Sequence, residues 1–229
     1  DATAHLIGLG PWLVENAGRA LRDLRDLDAF LDPDRHHEAR RTITAALRLV
    51  SGATAGRVTY ALSGAAYDVA GIDPSRMADL IRITADPTAD LFHEHTQEHV
   101  LPRLASDRPD LVGISILNRQ QVIPGLFLAR RLKEAGHTVV LGGTVYAKFH
   151  EALTRRPAFF STFCHGLVPY EGETALLELT RALAAGARTT DLGRVPNLLS
   201  LDAGGRVVAG PTVVEDVKAL PTPDFTGMP

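Results

Sequence analysis

The sequence predicts an α/β fold in which a parallel sheet is flanked by helices, and two observations favour this prediction. From residue 109 onward, short apolar runs alternate with stretches that have the three-to-four spacing of amphipathic helices, which is the element order of parallel sheets. The 229 residues are 45% hydrophobic and 22% charged, which is enough apolar chain to bury a sizeable core. We therefore expect one large domain, alone or with an appendage.

The first hundred residues are predicted to be mostly helical. Leucines at three-to-four spacing indicate an amphipathic helix over 12–30, and Asp32-Pro33-Asp34 is typical of the start of a second helix, which runs to about Val50. A short alternating stretch at 57–62 predicts the first strand of the sheet. Two further helices are predicted over 73–83 and 88–104.

The second half of the chain gives the clearer pattern. An apolar run at 111–117 predicts a strand buried on both faces, and 121–135 predicts a helix that Gly136 ends in a left-handed conformation. The elements that follow are a strand at 138–141, a helix at 146–154, a strand within 159–168, a helix at 174–185 and a β-hairpin with strands at 197–201 and 206–208. We therefore expect a Rossmann-like (flavodoxin-like) parallel sheet with an N-terminal helical region and a C-terminal β-hairpin.

Charge and cysteine content exclude several functions. A formal net charge of −3, from 24 lysines and arginines against 27 acidic residues, provides no basic field, so we expect no nucleic acid partner. No uncharged run approaches the roughly 20 residues of a membrane span, and no signal peptide is apparent, so we expect a cytoplasmic protein without a membrane partner. The single cysteine, Cys164, is expected to be a buried thiol in an apolar strand, and alone it cannot ligate an iron–sulfur cluster.

Three loops at the carboxyl ends of predicted strands form the expected ligand site, because open parallel sheets bind ligands there. They span 115–121, 142–146 and 169–173. Glycine lets the backbone approach a bulky ligand, and a serine hydroxyl or an asparagine amide can bind a nitrogen or a phosphate. Ser115, Gly142 and Gly143 also have a purely structural interpretation, since glycines allow tight turns between strand and helix in any such fold.

Ser115-Ile116-Leu117 after one strand and Gly142-Gly143-Thr144 after the next resemble the cobalamin-binding domain of methionine synthase and the mutases. In that family the corresponding elements accept the dimethylbenzimidazole tail of cobalamin. The resemblance is chemically reasonable, because a hydroxyl can donate to an imidazole-type nitrogen and residues without Cβ leave room for a flat ring system.

A closer resemblance, over about 109–225, is to the cobalamin-binding region of B12-dependent radical S-adenosylmethionine (SAM) enzymes. Its marks are Val112-Gly113-Ile114-Ser115, Gln120-Gln121-Val122-Ile123-Pro124, Val139-Val140-Leu141-Gly142-Gly143, Tyr170-Glu171-Gly172-Glu173-Thr174, Val195-Pro196-Asn197-Leu198 and Leu220-Pro221-Thr222-Pro223-Asp224-Phe225. We accordingly expect an N-terminal helical region at 1–105, a cobalamin-binding core at 106–190, and a hairpin and linker at 191–229 that leads to a radical SAM barrel absent from this chain.

The resemblance implies that this chain binds cobalamin, as methylcobalamin, while the barrel in cis holds SAM and a [4Fe-4S] cluster. It implies methylation of an unactivated carbon in a peptide or small natural-product substrate. Rearrangement or cyclisation with the same cofactors stays open, as does a non-catalytic Rossmann-like interaction domain. The chain lacks a Cys-x3-Cys-x2-Cys motif, so no catalytic residue and no metal ligand is assigned, and whether this chain alone is an enzyme stays open. The implied cofactor-binding residues are Ser115, Leu117, Asn118, Arg119, Gln120, Gln121, Gly142, Gly143, Thr144, Tyr170, Glu171 and Gly172.

Two histidine patterns suggest metal chemistry, and neither is assigned to a metal. The string from Asp34 to Ala39 resembles the cobalt-binding Asp-x-His-x-x-Gly motif but ends in alanine and follows a helix. Radical SAM relatives often hold cobalamin without a histidine ligand, which would leave residues 118–121 to meet the lower face of cobalt. His95 and His99 have the spacing of a zinc pair without the metalloprotease motif, so we favour an exposed polar face.

Overall fold

The structure is a computed structural model, and it describes residues 8–54, 58–67, 71–216 and 218–227. The chain forms two compact units, Asp1–Leu80 and Ile81–Pro229. The sequence instead predicts a boundary near residue 105. Residues 81–105 therefore group with the second unit. One local contact that joins them to it is the hydrogen bond that Arg130 Nη1 donates to the carbonyl of Ile81 at 2.9 Å.

In the described part of the first unit, helices α1 (Gly10–Asp23), α2 (Leu27–Leu31) and α3 (Pro33–Ala53) come first. The single helix predicted over 12–30 is wrong, because Asp26 accepts a hydrogen bond from the backbone of Ala29 and starts a new helix there. The predicted start of the next helix is confirmed, since the Asp32 side chain accepts hydrogen bonds from the backbone of Asp34 and Arg35. The buried residues Ala20, Ala39 and Ile43 join α1 to α3.

A two-stranded antiparallel sheet follows, formed by β1 (Val58–Ala61) and β2 (Gly64–Tyr67). The strand predicted at 57–62 is therefore present, apart from Arg57, which lies outside the described residues. Its assignment to the large sheet is wrong. Only Leu62 and Ser63 separate the two strands, and a two-residue turn favours local antiparallel pairing over a long-range partner.

The second unit is α/β, with an open five-stranded mixed sheet in the order β3-β4-β5-β6-β7. Its strands are β3 (Val112–Ser115), β4 (Val139–Gly142), β5 (Gly166–Val168), β6 (Leu199–Leu201) and β7 (Val207–Ala209). The first three strands pair in parallel, and the last two add antiparallel. The predicted α/β class and the parallel pairs are thus confirmed.

From Met77 onward the helices include α4 (Met77–Ala85), α5 (Leu101–Asp107), α6 (Val122–Glu134), α7 (Thr144–Ala147), α8 (His150–Leu153), α9 (Pro157–Phe163) and α10 (Glu173–Ala184). A short α-helical turn at His93–His95 and a π-helical turn at Thr96–Val100 lead directly into α5. Two predicted helices are interrupted. The one at 88–104 is broken at Asp90, whose side chain accepts from the backbone of Phe92 in a local turn, and helix begins again at His93. The one at 146–154 is divided into α7 and α8.

Cys164 follows helix α9 and does not lie in a strand, which corrects the sequence interpretation. Phe159, Phe160 and Phe163 of α9 are buried, so this apolar run packs as a helix and β5 begins only at Gly166. The predicted burial of Cys164 is confirmed. Burial raises the pKa of its thiol to about 12, so the thiol stays protonated at neutral pH.

One face of the sheet is covered unevenly. Val140 and Val168 pack against Ala175 and Leu179 of α10, whereas Gly113 and Ser115, which occupy the same face on β3, are exposed. The prediction that the strand at 111–117 is buried on both faces is therefore wrong. In the described sheet β3 is an edge strand. Among the described residues, no helix is long and apolar enough to cross a membrane.

Candidate functional site

A cleft of about 380 Å³ lies at the carboxyl ends of the three parallel strands. The strand register creates it, because Ser115, Gly142 and Val168 are neighbours in one row across β3, β4 and β5. Small residues on β3 and β4 leave a depression beside α10. The cleft is lined by Gly113, Ile114, Ser115, Val140, Gly142, Gly143, Val168, Tyr170, Gly172 and Leu176.

The glycines of the cleft divide into those the fold requires and those it does not. Gly143 has φ +105°, and a Cβ there would collide with the Ile116 carbonyl oxygen, so the turn requires glycine. A Cβ at Gly142 would lie 3.5 Å from the Val168 oxygen, which is ordinary contact, and a Cβ at Gly113 would meet open space. The structural interpretation therefore accounts for Gly143 but not for Gly142 or Gly113, where the missing side chains enlarge the cleft.

Ser115 supplies a hydroxyl to an otherwise apolar floor. Its side chain is exposed, and it makes no hydrogen bond with any residue that the structure describes. A hydroxyl can both donate and accept, so Ser115 Oγ is available to a nitrogen or oxygen of a ligand. None of the described residues that line the cleft is charged, so the site favours an uncharged group.

After β3, the backbone amides of Leu117, Asn118 and Gln121 are already satisfied by side chains. Gln121 Oε1 accepts hydrogen bonds from the amides of Leu117 and Asn118, at 2.8 and 3.3 Å. Asn118 Oδ1 accepts in return from the Gln121 amide at 3.2 Å, which completes a capping box. These side chains therefore hold the loop, and they occupy amides on which a phosphate could otherwise rest at this turn.

The N-terminus of α10, beside the cleft, is satisfied in the same way. Glu215 Oε1 accepts from the Thr174 amide and Glu215 Oε2 from the Thr174 hydroxyl, both at 2.8 Å. Asn197 fixes the segment that carries Glu215, since its side-chain amide exchanges two hydrogen bonds with the backbone of Val213. A carboxylate of the protein thus occupies the helix N-terminus, where Rossmann-like folds often bind phosphate.

The rim of the cleft carries a contact between Tyr170 and His150. Tyr170 Oη lies 2.8 Å from His150 Nε2, and the two rings meet edge to face with centroids 5.1 Å apart. His150 Nδ1 lies 2.9 Å from the carbonyl oxygen of Ala147. Because a carbonyl oxygen only accepts, we assign the proton to Nδ1, and Nε2 then accepts from the Tyr170 hydroxyl.

Five of the residues implied by sequence line the cleft, namely Ser115, Gly142, Gly143, Tyr170 and Gly172. The others lie outside it. Leu117 is 57% exposed, Arg119 and Gln120 are exposed in a 3₁₀ turn, and Glu171 is exposed. Thr144 Oγ1 donates to the Leu117 carbonyl at 2.8 Å and joins the two loops, and Asn118 and Gln121 form the capping box.

Sequence reasoning missed the remaining lining residues. Two of them could have been found, because Gly113 and Val140 lie two positions before Ser115 and Gly142 and so share their face of the sheet. His150 and Glu215 carry no such local signal, since both reach the site through tertiary contacts.

Neither the histidine pairs considered as metal ligands nor a second groove provides a further functional site. The described residues contain no group of three or more histidine, cysteine or acidic side chains placed to hold a metal ion, and the rings of His95 and His99 lie 5.0 Å apart as a pair. A groove between α1 and α3 is lined by charged residues that pair across the helices, with Arg35 Nη2 at 2.9 Å from Asp23 Oδ1. Such exposed pairs are typical of a solvated helix contact.

Comparisons with known proteins identify no relative, since no family model, no curated protein and no solved structure matches the chain.

Proposed function

We propose that the second unit is a Rossmann-like (flavodoxin-like) module that binds cobalamin, with the cleft receiving the dimethylbenzimidazole tail. The observation that carries the proposal is the uncharged cleft at the carboxyl ends of parallel strands, whose floor consists of Ser115 and two glycines that packing does not require. Ligands of open parallel sheets bind at this edge.

The size and chemistry of the cleft support a flat heterocycle. Its volume of about 380 Å³ falls near the lower end of the roughly 300–1,000 Å³ of small-molecule sites, which suits a bicyclic ring better than a whole corrin. Ser115 Oγ would donate to a ring nitrogen, while Gly113 and Gly142 leave space for the ring. The corrin would then lie across the mouth, over the loops that follow β3 and β4.

The occupied helix N-termini disfavour a nucleotide as the ligand. Nucleotides in Rossmann-like folds rest their phosphates on backbone amides at helix N-termini. Here Gln121 and Asn118 accept from amides of the turn after β3, and Glu215 accepts from the Thr174 amide at the start of α10. A phosphate near Glu215 would also face a carboxylate. A ligand whose buried part is a neutral ring meets neither obstacle.

The wider role follows from the sequence resemblance. We place this module in a B12-dependent radical SAM methyltransferase that acts on an unactivated carbon of a peptide or natural-product precursor, with SAM and a [4Fe-4S] cluster held by a radical SAM barrel in cis. Bound methylcobalamin would supply the methyl group. The residues of this chain would bind and orient the cofactor. The same binding would also serve a rearrangement or cyclisation enzyme.

The Gly142→Val variant tests the proposal. A valine Cβ fits beside the Val168 backbone and valine favours strands, so we expect the fold to persist while the side chain fills the cleft. The affinity for hydroxocobalamin, measured by titration calorimetry, should fall about tenfold or more. Gly52→Val is the matched control, because a Cβ at Gly52 in α3 meets open space and Gly52 is far from the cleft residues in sequence. Equal affinity in wild type and Gly142→Val would contradict the proposal.

A further inference from the structure

Tyr170 is the cleft residue whose position depends most clearly on a single neighbour. Its side chain is 40% exposed, so packing alone does not fix its rotamer. The hydrogen bond and the ring contact that the structure describes for it both go to His150. His150 is itself held by the Ala147 carbonyl.

We propose that His150 is a positioning residue of the site, which holds the Tyr170 ring at the mouth of the cleft as a wall for a flat aromatic group. The inference rests on the proposed cobalamin binding and adds a residue that the family resemblance does not supply. One imidazole joins the end of α7, the start of α8 and the loop after β5. The wall therefore stays in place only while both imidazole nitrogens keep their partners.

The direction of the hydrogen bond determines what Tyr170 can offer a ligand. Its hydroxyl proton is directed to His150 Nε2, so the phenol does not donate into the cleft. The ring itself remains for contact, and aromatic rings prefer offset-stacked or edge-to-face partners. His150 thus makes the mouth selective for an aromatic ring over a polar or charged group.

Four variants test this role by titration with hydroxocobalamin. His150→Phe keeps an aromatic ring and removes the acceptor, Tyr170→Phe removes the hydroxyl, the double variant removes both, and His150→Gln keeps an acceptor. We expect about tenfold weaker binding for each of the two Phe variants, from loss of one hydrogen bond. The double variant should be no weaker than either, and His150→Gln should regain most of the affinity.

Dicyanocobinamide, which lacks the benzimidazole tail, is the matched ligand control. Its affinity should be the same for wild type and all four variants, which would not hold if the substitutions simply disordered the unit. Losses in hydroxocobalamin affinity that add in the double variant would overturn the inference, because His150 would then act independently of Tyr170.

A ligand-free measurement separates the failure of this inference from the failure of the proposed function. The chain has four tyrosines, and NMR spectra of protein with ¹³C-labelled tyrosine record their signals. The signal that is missing in Tyr170→Phe is that of Tyr170. In His150→Phe the chemical shift of the Tyr170 signal should move toward that of a mobile tyrosine ring. An unchanged Tyr170 signal would overturn the inference even if hydroxocobalamin binds, whereas absence of wild-type binding would contradict only the proposed function.

Discussion

Ser115 and Gly142 are direct neighbours on two parallel strands, and both lie on the face of the sheet that α10 leaves open beside β3. This register sets a hydroxyl next to a residue without a side chain, at the edge where parallel sheets bind ligands. Ser115 is the last residue of β3 and Gly142 is the last residue of β4, so the two strands end side by side. It is the local feature on which the proposed cofactor site depends.

The first prediction concerns the Ser115 hydroxyl. We expect Ser115→Ala to weaken hydroxocobalamin binding about tenfold, which corresponds to the loss of one hydrogen bond of about 1–1.5 kcal/mol. The free energy of unfolding should stay within about 0.5 kcal/mol of wild type, since the side chain is exposed and makes no described hydrogen bond. Calorimetric titration and urea unfolding give both values. A loss of stability without a loss of affinity would assign Ser115 to the fold instead.

The second prediction concerns the cap that Glu215 provides for α10. Glu215→Ala removes both acceptors from Thr174 and should lower the free energy of unfolding by about 1–2 kcal/mol. Glu215→Gln retains one acceptor oxygen and should lose less. Urea unfolding followed by circular dichroism measures the difference. Identical midpoints for wild type and both variants would show that the cap does not contribute to stability.

The contrast between these two positions shows what the sequence can predict. The alternating order of elements predicted the α/β class and the parallel pairs, and the loops after two strands predicted Ser115, Gly142 and Gly143 in one site. Thr174 and Glu215 are 41 residues apart, and His150 and Tyr170 are 20 apart, so no local period connects them. Strand β1 was wrongly assigned to the large sheet because a short alternating stretch predicts a strand but not its partner.

The third prediction is a pH dependence of stability due to His165. Its Nδ1 accepts a hydrogen bond from the Val139 amide at 3.1 Å, which requires this nitrogen to be unprotonated. Burial lowers the pKa of His165, and the positive charge of Lys133 lowers it further. In the unfolded chain histidine has a pKa of about 6.5, so below that pH the unfolded state binds the proton more readily.

The contribution of His165 to stability is therefore full above about pH 6.5 and is lost as the pH falls toward the lower pKa of the folded state. Over this range the free energy of unfolding decreases by up to about 1.4 kcal/mol per pH unit. Urea unfolding at pH 7.5 and pH 5.5 should show the decrease. His165→Gln removes the titrating group and should flatten the difference, whereas His137→Gln serves as the control. Parallel pH profiles for wild type and His165→Gln would rule out this origin.

The most direct test of the cofactor proposal compares two corrinoids on the unmodified chain. Hydroxocobalamin carries the dimethylbenzimidazole tail and dicyanocobinamide does not, so the difference in affinity measures what the cleft contributes. We predict saturable binding of hydroxocobalamin at one site per chain, and binding of dicyanocobinamide at least about tenfold weaker. Equal affinity for the two, or no binding of hydroxocobalamin, would contradict the assignment of the cleft at Ser115 and Gly142 to the cofactor tail.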